Sequence, residues 1–295
     1  GGLVATAASG ITLAGTINTT DTTMTLGDGG TGITLGANTT LSSGSGIINI
    51  AGATAGAGDN DALIINTTGT TNITATISGI TTLTTNSNGT TAVSANITSS
   101  GKQTFNDAVT VNGTLDFTGS EVEFNSTLQG ADGTGDDLTI SGVLDLNAAA
   151  TNLTSLDVEG TSDLGANVTT SGTQEYTGAS VMSGGAARTL TGSTVLFGST
   201  VDGGAQNLTI TGILDLDGAL TNTTNFEVTS SSNLGGNVTT TGTQIYTGAV
   251  TLSGAARTLT ATNSSAVTFS STINGTQNLT VATGGLTTFD GLVGN

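Results

Sequence analysis

Two glycine-rich loops bring several carboxylates close together in the sequence of this 295-residue chain. They are residues 56–61, Gly-Ala-Gly-Asp-Asn-Asp, and residues 131–137, Ala-Asp-Gly-Thr-Gly-Asp-Asp. Calcium prefers oxygen ligands, which carboxylates and carbonyls converging in a turn can supply. Asp-Gly is also ordinary turn chemistry, so solvated turns are the competing and simpler interpretation. Calcium is therefore the one cofactor for which the sequence offers candidate ligands, namely Asp59, Asp61, Asp132, Asp136 and Asp137.

The residue types on which most enzymes depend are either missing or repeated. The chain has no His, Cys or Trp, so the commonest general base, thiolate nucleophiles and the best sugar-stacking ring are all absent. Arg188 and Arg257 occupy the same repeated string, Ala-Ala-Arg-Thr-Leu, which favours a structural role. Glu121 and Glu123 alternate with apolar residues, as on the solvated face of a strand. We predict that the chain is not an enzyme and has no catalytic or cofactor-binding residues. A polysaccharide-acting β-helix enzyme is the less favoured alternative.

The charge balance is strongly acidic, with 3 Lys and Arg residues against 21 Asp and Glu residues and a net charge of −18. Nucleic-acid binding depends on basic residues that neutralise phosphates, so we predict no nucleic-acid partner. The same charge disfavours anionic membranes. No apolar run approaches the ~20 residues that span a bilayer, so we also predict no membrane insertion.

A long repeat organises most of the chain. Asn96-Ile-Thr returns as Asn167-Val-Thr and as Asn237-Val-Thr, at spacings of 71 and 70 residues. Self-similarity at a fixed period is typical of units that stack on their neighbours. We read residues 1–295 as a single continuous solenoid, in which residues 1–95 are degenerate coils. Three copies of the long repeat follow, the last of them truncated, at residues 96–166, 167–236 and 237–295.

A shorter period lies inside the long one. An aromatic residue is followed four positions later by Val, Leu or Ile, and such pairs recur at intervals of about 20 residues, the length of one β-solenoid coil. Seventy residues would then be about three coils, so Tyr176 and Tyr246 should face the same way. The side chains that we expect to point inward are Phe105, Phe124, Phe197, Phe269, Phe289, Val109, Val201, Ile273 and Val293.

The complete absence of proline supports the same fold. Each proline in an interior strand would remove one hydrogen bond from the ladder that joins successive coils. The 46 glycines can supply the sharp corners instead. We predict an all-β, right-handed parallel β-helix with coils of about 20 residues and a higher-order repeat of about 70 residues.

Two strings resemble a known class of proteins. They are Gly-Thr-Gln-Ile-Tyr-Thr-Gly-Ala-Val-Thr-Leu at 242–252 and Ala-Val-Thr-Phe-Ser-Ser-Thr-Ile-Asn-Gly-Thr-Gln-Asn-Leu-Thr-Val at 266–281. They are similar to the repeat regions of filamentous-haemagglutinin-like and β-strand-repeat exoproteins of bacterial surfaces, and the resemblance covers about residues 96–295. It implies a right-handed parallel β-helix and a role as exported adhesin, fibre or surface-layer material.

The function that we expect is therefore architectural. The chain is predicted to be a structural segment of an extracellular bacterial cell-surface protein, forming a stalk, fibre, sheath or surface layer. It starts within a repetitive region, so we expect a piece of something longer that either continues into further repeats or associates end to end. Host surfaces and polysaccharides are candidate ligands. A calcium-stabilised solenoid and an ice-binding threonine array are the alternatives, and the many Asn-x-Thr/Ser tripeptides are candidate glycosylation acceptors.

Overall fold

The computed structural model describes residues 1–58, 61–86 and 88–294. These residues contain strands, turns and irregular segments, and none of them is helical. The parallel strands stack as a β-solenoid, with about 14 turns at a spacing of ~20 residues. The predicted all-β solenoid and its coil length are thus confirmed. The contacts divide the chain into two compact units, Gly1–Thr154 and Ser155–Asn295, which are described separately. A single continuous solenoid over residues 1–295 stays a prediction.

The described residues of the first unit contain eighteen strands. In chain order they are β1 (Leu3–Ala5), β2 (Ile11–Asn18), β3 (Met24–Leu26), β4 (Ile33–Gly44), β5 (Ile48–Ile50), β6 (Thr54–Gly56), β7 (Leu63–Thr67), β8 (Thr70–Ile73), β9 (Ile77–Ile80), β10 (Leu83–Thr85), β11 (Thr90–Val93), β12 (Ile97–Ser99), β13 (Lys102–Phe105), β14 (Ala108–Val111), β15 (Leu115–Phe124), β16 (Leu128–Gly130), β17 (Asp137–Leu146) and β18 (Ala150–Leu153).

The described residues of the second unit contain seventeen strands. In chain order they are β19 (Ser155–Val158), β20 (Ser162–Leu164), β21 (Val168–Thr170), β22 (Thr173–Tyr176), β23 (Ser180–Val181), β24 (Arg188–Phe197), β25 (Val201–Leu216), β26 (Leu220–Val228), β27 (Ser232–Leu234), β28 (Val238–Thr240), β29 (Gln244–Tyr246), β30 (Val250–Leu252), β31 (Arg257–Ala261), β32 (Val267–Phe269), β33 (Ile273–Asn274), β34 (Leu279–Thr283) and β35 (Thr287–Phe289).

Each turn of the solenoid consists of three strands. In the first unit β7 pairs with β10, β8 with β11 and β9 with β12, always in parallel. In the second unit β19 pairs with β22, β20 with β23 and β21 with β24. Long strands such as β24 bend around a corner and serve two faces, because their two halves pair with different strands of the preceding turn. Residues of these strands therefore belong to one of three columns, in which a residue lies directly above or below its partners in the neighbouring turns.

Alternation of side chains builds the core within these columns. Buried and exposed or half-buried positions alternate along most strands, as a strand with one face inward requires. Aromatic rings stack between turns, with 5.3 Å between the ring centroids of Tyr176 and Phe197 and 5.2 Å between those of Tyr246 and Phe269. The prediction of inward side chains is confirmed by burial for Phe105, Phe124, Phe197, Phe269, Val109, Val201 and Ile273.

Two of the expected inward residues are exposed instead. Phe289 is 45% exposed and Val293 is 55% exposed, so the prediction is wrong for both. The ring of Phe289 stacks on Phe269 with centroids 5.2 Å apart, but its strand, β35, pairs only with β32 among the described strands. Because a neighbouring strand covers Phe289 on one side only among the described strands, its inward ring stays partly exposed.

The long repeat does not correspond to three coils. The column of Tyr176 continues through Phe197 and Leu216 to Leu234, which is three turns. Leu234 lies in β27, whereas Tyr246 lies two strands later, in β29, and belongs to the column of Val228. Seventy residues therefore make three and two-thirds turns, so the expectation that Tyr176 and Tyr246 face the same way is wrong. The third copy is therefore rotated onto another face of the solenoid relative to the second.

One buried glutamine accompanies every copy of the repeat. The Nε2 group of Gln174 donates to the backbone carbonyl of Thr191 at 2.7 Å and to that of Val168 at 3.3 Å. Its amide thus spans a corner and ties two successive turns together. Equivalent bonds to the later turn are those from Gln103 to Thr118 and from Gln244 to Thr260, both 2.8 Å.

Candidate functional site

The first candidate calcium loop, residues 56–61, is only partly described, because Asp59 lies outside the described residues. Asp61 is buried, and its Oδ2 accepts a hydrogen bond from the backbone N–H of Gly58 at 2.9 Å. This contact closes the loop on itself. The carboxylate of Asp61 therefore has a structural role that does not need an ion.

The second candidate calcium loop, residues 131–137, is organised around Asp136, which is 1% exposed. Its Oδ2 accepts the backbone N–H groups of Asp132 at 3.0 Å and Gly133 at 3.1 Å, and its Oδ1 accepts that of Gly113 at 3.0 Å. Burial acts to raise the pKa of Asp136, but these backbone donors, with that of Ala131, outweigh it and lower the pKa. One long repeat later the position holds Gln206, a neutral residue.

The other two carboxylates of this loop bind hydroxyl groups. Asp132 is exposed and its Oδ1 accepts the N–H and hydroxyl of Thr134, at 2.9 and 2.7 Å, as in an ordinary Asx turn. Asp137 accepts the hydroxyl of Thr114 at 3.3 Å. The structure thus places Asp132 and Asp136 in one loop and Asp137 at the start of β17, with oxygens already engaged by protein donors. Calcium binding at these residues stays a prediction.

A different group of acids comes together on the first unit. Ligand atoms of Glu121, Glu123 and Asp145 lie within 4.8 Å of one another. Glu123 and Asp145 are neighbours in one column, because β15 pairs with β17. Sequence reasoning treated Glu121 and Glu123 as a solvated strand face and did not connect them with Asp145. The sequence signal that could have identified this acidic group is the spacing of one coil between Glu123 and Asp145.

Lys102 occupies this acidic group. Its Nζ lies 2.8 Å from Glu121 Oε1 and 3.1 Å from Glu123 Oε2. Burial acts to lower the pKa of Lys102, but the two carboxylates outweigh it and raise the pKa. The only lysine of the chain thus provides a counter-charge for Glu121 and Glu123.

Both arginines are engaged by backbone carbonyl groups. The guanidinium of Arg188, which is 4% exposed, donates from Nε to the carbonyl of Leu164 at 2.8 Å and from Nη2 to that of Ser183. Arg257 donates from Nε and Nη2 to the carbonyl of Ser253, at 3.0 and 2.7 Å. Each arginine therefore binds the carbonyl of a serine in the loop that precedes its own strand, and Arg188 also binds Leu164 on the preceding turn.

A threonine column on the second unit is interrupted. In the second unit one outward column runs Thr189, Thr209, Glu227, Ile245 and Thr268. A carboxylate and an aliphatic side chain thus break a row that a flat threonine array would need to be continuous. An array in this column extends over two adjacent turns before it ends.

The recurring Asn-x-Thr asparagines link adjacent turns. The Oδ1 atom of Asn167 accepts the backbone N–H of Thr189 at 2.9 Å, and that of Asn237 accepts the N–H of Thr258 at 2.9 Å. Asn96 does the same with the N–H of Asp116 at 3.1 Å. All three are exposed, yet each fills a structural position that recurs with the repeat. Their glycosylation stays a prediction.

The described residues include no helix that is long and apolar enough to cross a membrane. Acidic side chains are distributed over both units. Comparisons with protein-family models, with curated proteins and with solved structures found no match.

Proposed function

We propose that this chain is a structural segment of an exported bacterial cell-surface protein, one that forms a stalk, fibre, sheath or surface layer. The observation that carries the proposal is the rotation of the long repeat by two-thirds of a turn, seen in Tyr176 and Tyr246 on different columns. What the repeat preserves is the interior: stacked rings, the corner glutamine and the loop-fastening arginine. Preserved packing without a preserved outer face favours an architectural role.

A one-sided recognition surface would need a different arrangement. An ice-binding face, or a row of identical sugar sites, requires equivalent residues on one face in successive units. Here Arg188 and Arg257, one long repeat apart, lie in strands β24 and β31, which pair with strands of different columns. This favours the architectural role over the threonine-array alternative.

The polar contacts also favour a non-catalytic role. The buried amides, guanidinium groups and carboxylates described above bind backbone groups of their own or adjacent turns. Catalytic groups must face a bound substrate, whereas these groups form hydrogen bonds that hold loops and corners in place. End-to-end association or continuation into further repeats is the assembly that we propose.

Electron microscopy of the native cell surface, with antibody raised against this chain, tests the proposal. Label along fibres, stalks or a continuous layer is the expected result. Label confined to the cell interior would contradict it. So would release of oligosaccharides from a purified polysaccharide by the isolated chain, or growth arrest of ice crystals in its presence.

A further inference from the structure

Asp107 is a buried acid at a corner of the first unit. It follows β13 and precedes β14, and it is 2% exposed. Its Oδ1 accepts the hydroxyl of Thr85 at 2.6 Å, and its Oδ2 accepts the hydroxyl of Thr91 at 2.9 Å. Thr85 ends β10 and Thr91 lies in β11, so one carboxyl group joins both sides of the corner of the preceding turn.

Among the described residues, no counter-charge accompanies this carboxyl group. From β10 and β11 it meets the hydroxyls of Thr85 and Thr91, and on its own segment its own backbone N–H. Beneath it lies Gly89, at which a Cβ would be 3.5 Å from Oδ2. None of the interactions that act on Asp107 comes from a charged side chain of the described residues. Lys102, on the preceding strand, is paired with Glu121 and Glu123.

Burial without a counter-charge penalises the ionised form. Burial accordingly raises the pKa of Asp107, and the two threonine hydroxyls, which favour the carboxylate, do not outweigh it. Asp136 is the natural comparison, because it is equally buried in the same unit. Three backbone N–H groups bond to its carboxylate and its pKa is lowered.

The corner does not need an acid in order to form. One and two long repeats later, the corresponding positions hold Gly178 and Gly248. A Cβ there would lie 2.3 Å from the carbonyl oxygen of Gly160, or 2.4 Å from the carbonyl carbon of Ser230, so these corners have no room for a side chain. The first copy instead has a corner wide enough for a carboxyl group and two hydroxyls.

We propose that Asp107 makes this corner sensitive to pH: its neutral carboxyl group holds the turns of β10, β11 and β13 together, and ionisation weakens them. Since the folded-state pKa is raised, the stabilisation is complete below the usual Asp value of 3.8 and is lost as the pH rises through the raised pKa. For Asp136 the sign is reversed. Its stabilisation is present above 3.8 and is lost as the pH falls through the lowered pKa.

Chemical denaturation of the full chain, followed by circular dichroism at a series of pH values, tests the proposal with two matched variants. Asp107→Asn and Asp136→Asn each replace one buried carboxyl group by an amide of nearly the same size. The midpoint of Asp107→Asn relative to the wild type should rise with increasing pH. The midpoint of Asp136→Asn relative to the wild type should fall over the same range. A pH-independent or falling difference for Asp107→Asn would overturn the proposal.

A second measurement does not depend on the folding of either variant. Carbon-detected NMR of the wild-type chain, labelled at aspartate, follows the carboxyl resonance of Asp107 during a pH titration. A midpoint above 3.8 is expected. A midpoint at or below this value would show that the buried carboxylate is stabilised, and the proposed sensitivity to pH would be refuted.

Discussion

The phenol of Tyr176 donates a hydrogen bond to Oε1 of Gln174 at 3.1 Å, and both residues are completely buried. Tyr246 donates to Gln244 over the same distance. The tyrosine thus satisfies the one oxygen of an amide whose nitrogen is already committed to the backbone. In the first copy the ring is Phe105, and Oε1 of Gln103 is buried with no hydrogen-bond partner.

Phe105→Tyr should therefore stabilise the chain. The ring of Phe105 stacks on Phe124 with centroids 5.2 Å apart, as Tyr176 stacks on Phe197 at 5.3 Å, so an added hydroxyl should be placed similarly. One satisfied buried acceptor contributes about 0.5–1.5 kcal/mol to the free energy of unfolding. Denaturant titration of the wild type and of Phe105→Tyr measures the difference in the free energy of unfolding.

Phe124→Tyr is the control for this gain. Two residues before Phe124 stands Val122, which offers no acceptor, so a new hydroxyl would be buried unpaired. That should cost about 1–3 kcal/mol. Equal effects of the two substitutions would show that the glutamine is not the partner.

Removal of a ring from the middle of the aromatic stack should lower the free energy of unfolding much more than removal of the exposed ring at its end. Phe269 is fully buried between Tyr246 and Phe289, whereas Phe289 is 45% exposed. Phe269→Ala should destabilise by about 3–5 kcal/mol through lost burial and a cavity. Phe289→Ala should cost clearly less. Thermal unfolding of both variants checks the order, and a larger loss for Phe289→Ala would contradict the burial argument.

Lys102→Met should turn the acidic group on the first unit into a cation-responsive one. Without Nζ, the carboxylates of Glu121, Glu123 and Asp145 lose the cation that lies among them. The loss of stability itself should be ~1 kcal/mol or less, because the pairs are partly exposed. Calcium should raise the melting temperature of this variant and leave that of Lys102→Arg unchanged. An equal rise in the wild type would indicate a calcium site elsewhere.

Gly178→Ala should disrupt a corner of the second unit. A Cβ at this position would lie 2.3 Å from the carbonyl oxygen of Gly160. Relief of this clash would require the backbone of Gly160 to move, which would disturb the strand pairing nearby. Overpacking of this kind costs about 1–3 kcal/mol. Gly32→Ala is the control, since a Cβ there meets nothing within 4 Å. Comparable unfolding midpoints for the two variants would contradict the close approach.

Several candidate-site residues were recognised from sequence without their geometry. Asp132, Asp136 and Asp137 were predicted to share a loop; Asp132 and Asp136 do, and Asp137 is the first residue of β17, directly after the loop. The sequence did not predict that the carboxylate of Asp136 accepts three backbone N–H groups. One of these donors is Gly113, on the previous turn, and its position depends on how the turns pack. Glu123 and Asp145 become neighbours only through strand pairing, which sequence spacing suggests but does not specify.

The sequence by itself determined the period of the coil and the side chains that fill it. Recurring aromatic and aliphatic residues are a local pattern, and Phe105, Phe124, Phe197 and Phe269 are buried as that pattern predicts. Only the tertiary structure decided how many turns the long repeat makes. That number depends on three strands per turn and on the length of each corner, and it places Tyr176 and Tyr246 on different columns. Burial likewise depends on the neighbouring turn, which is why Phe289 is exposed although it obeys the same pattern.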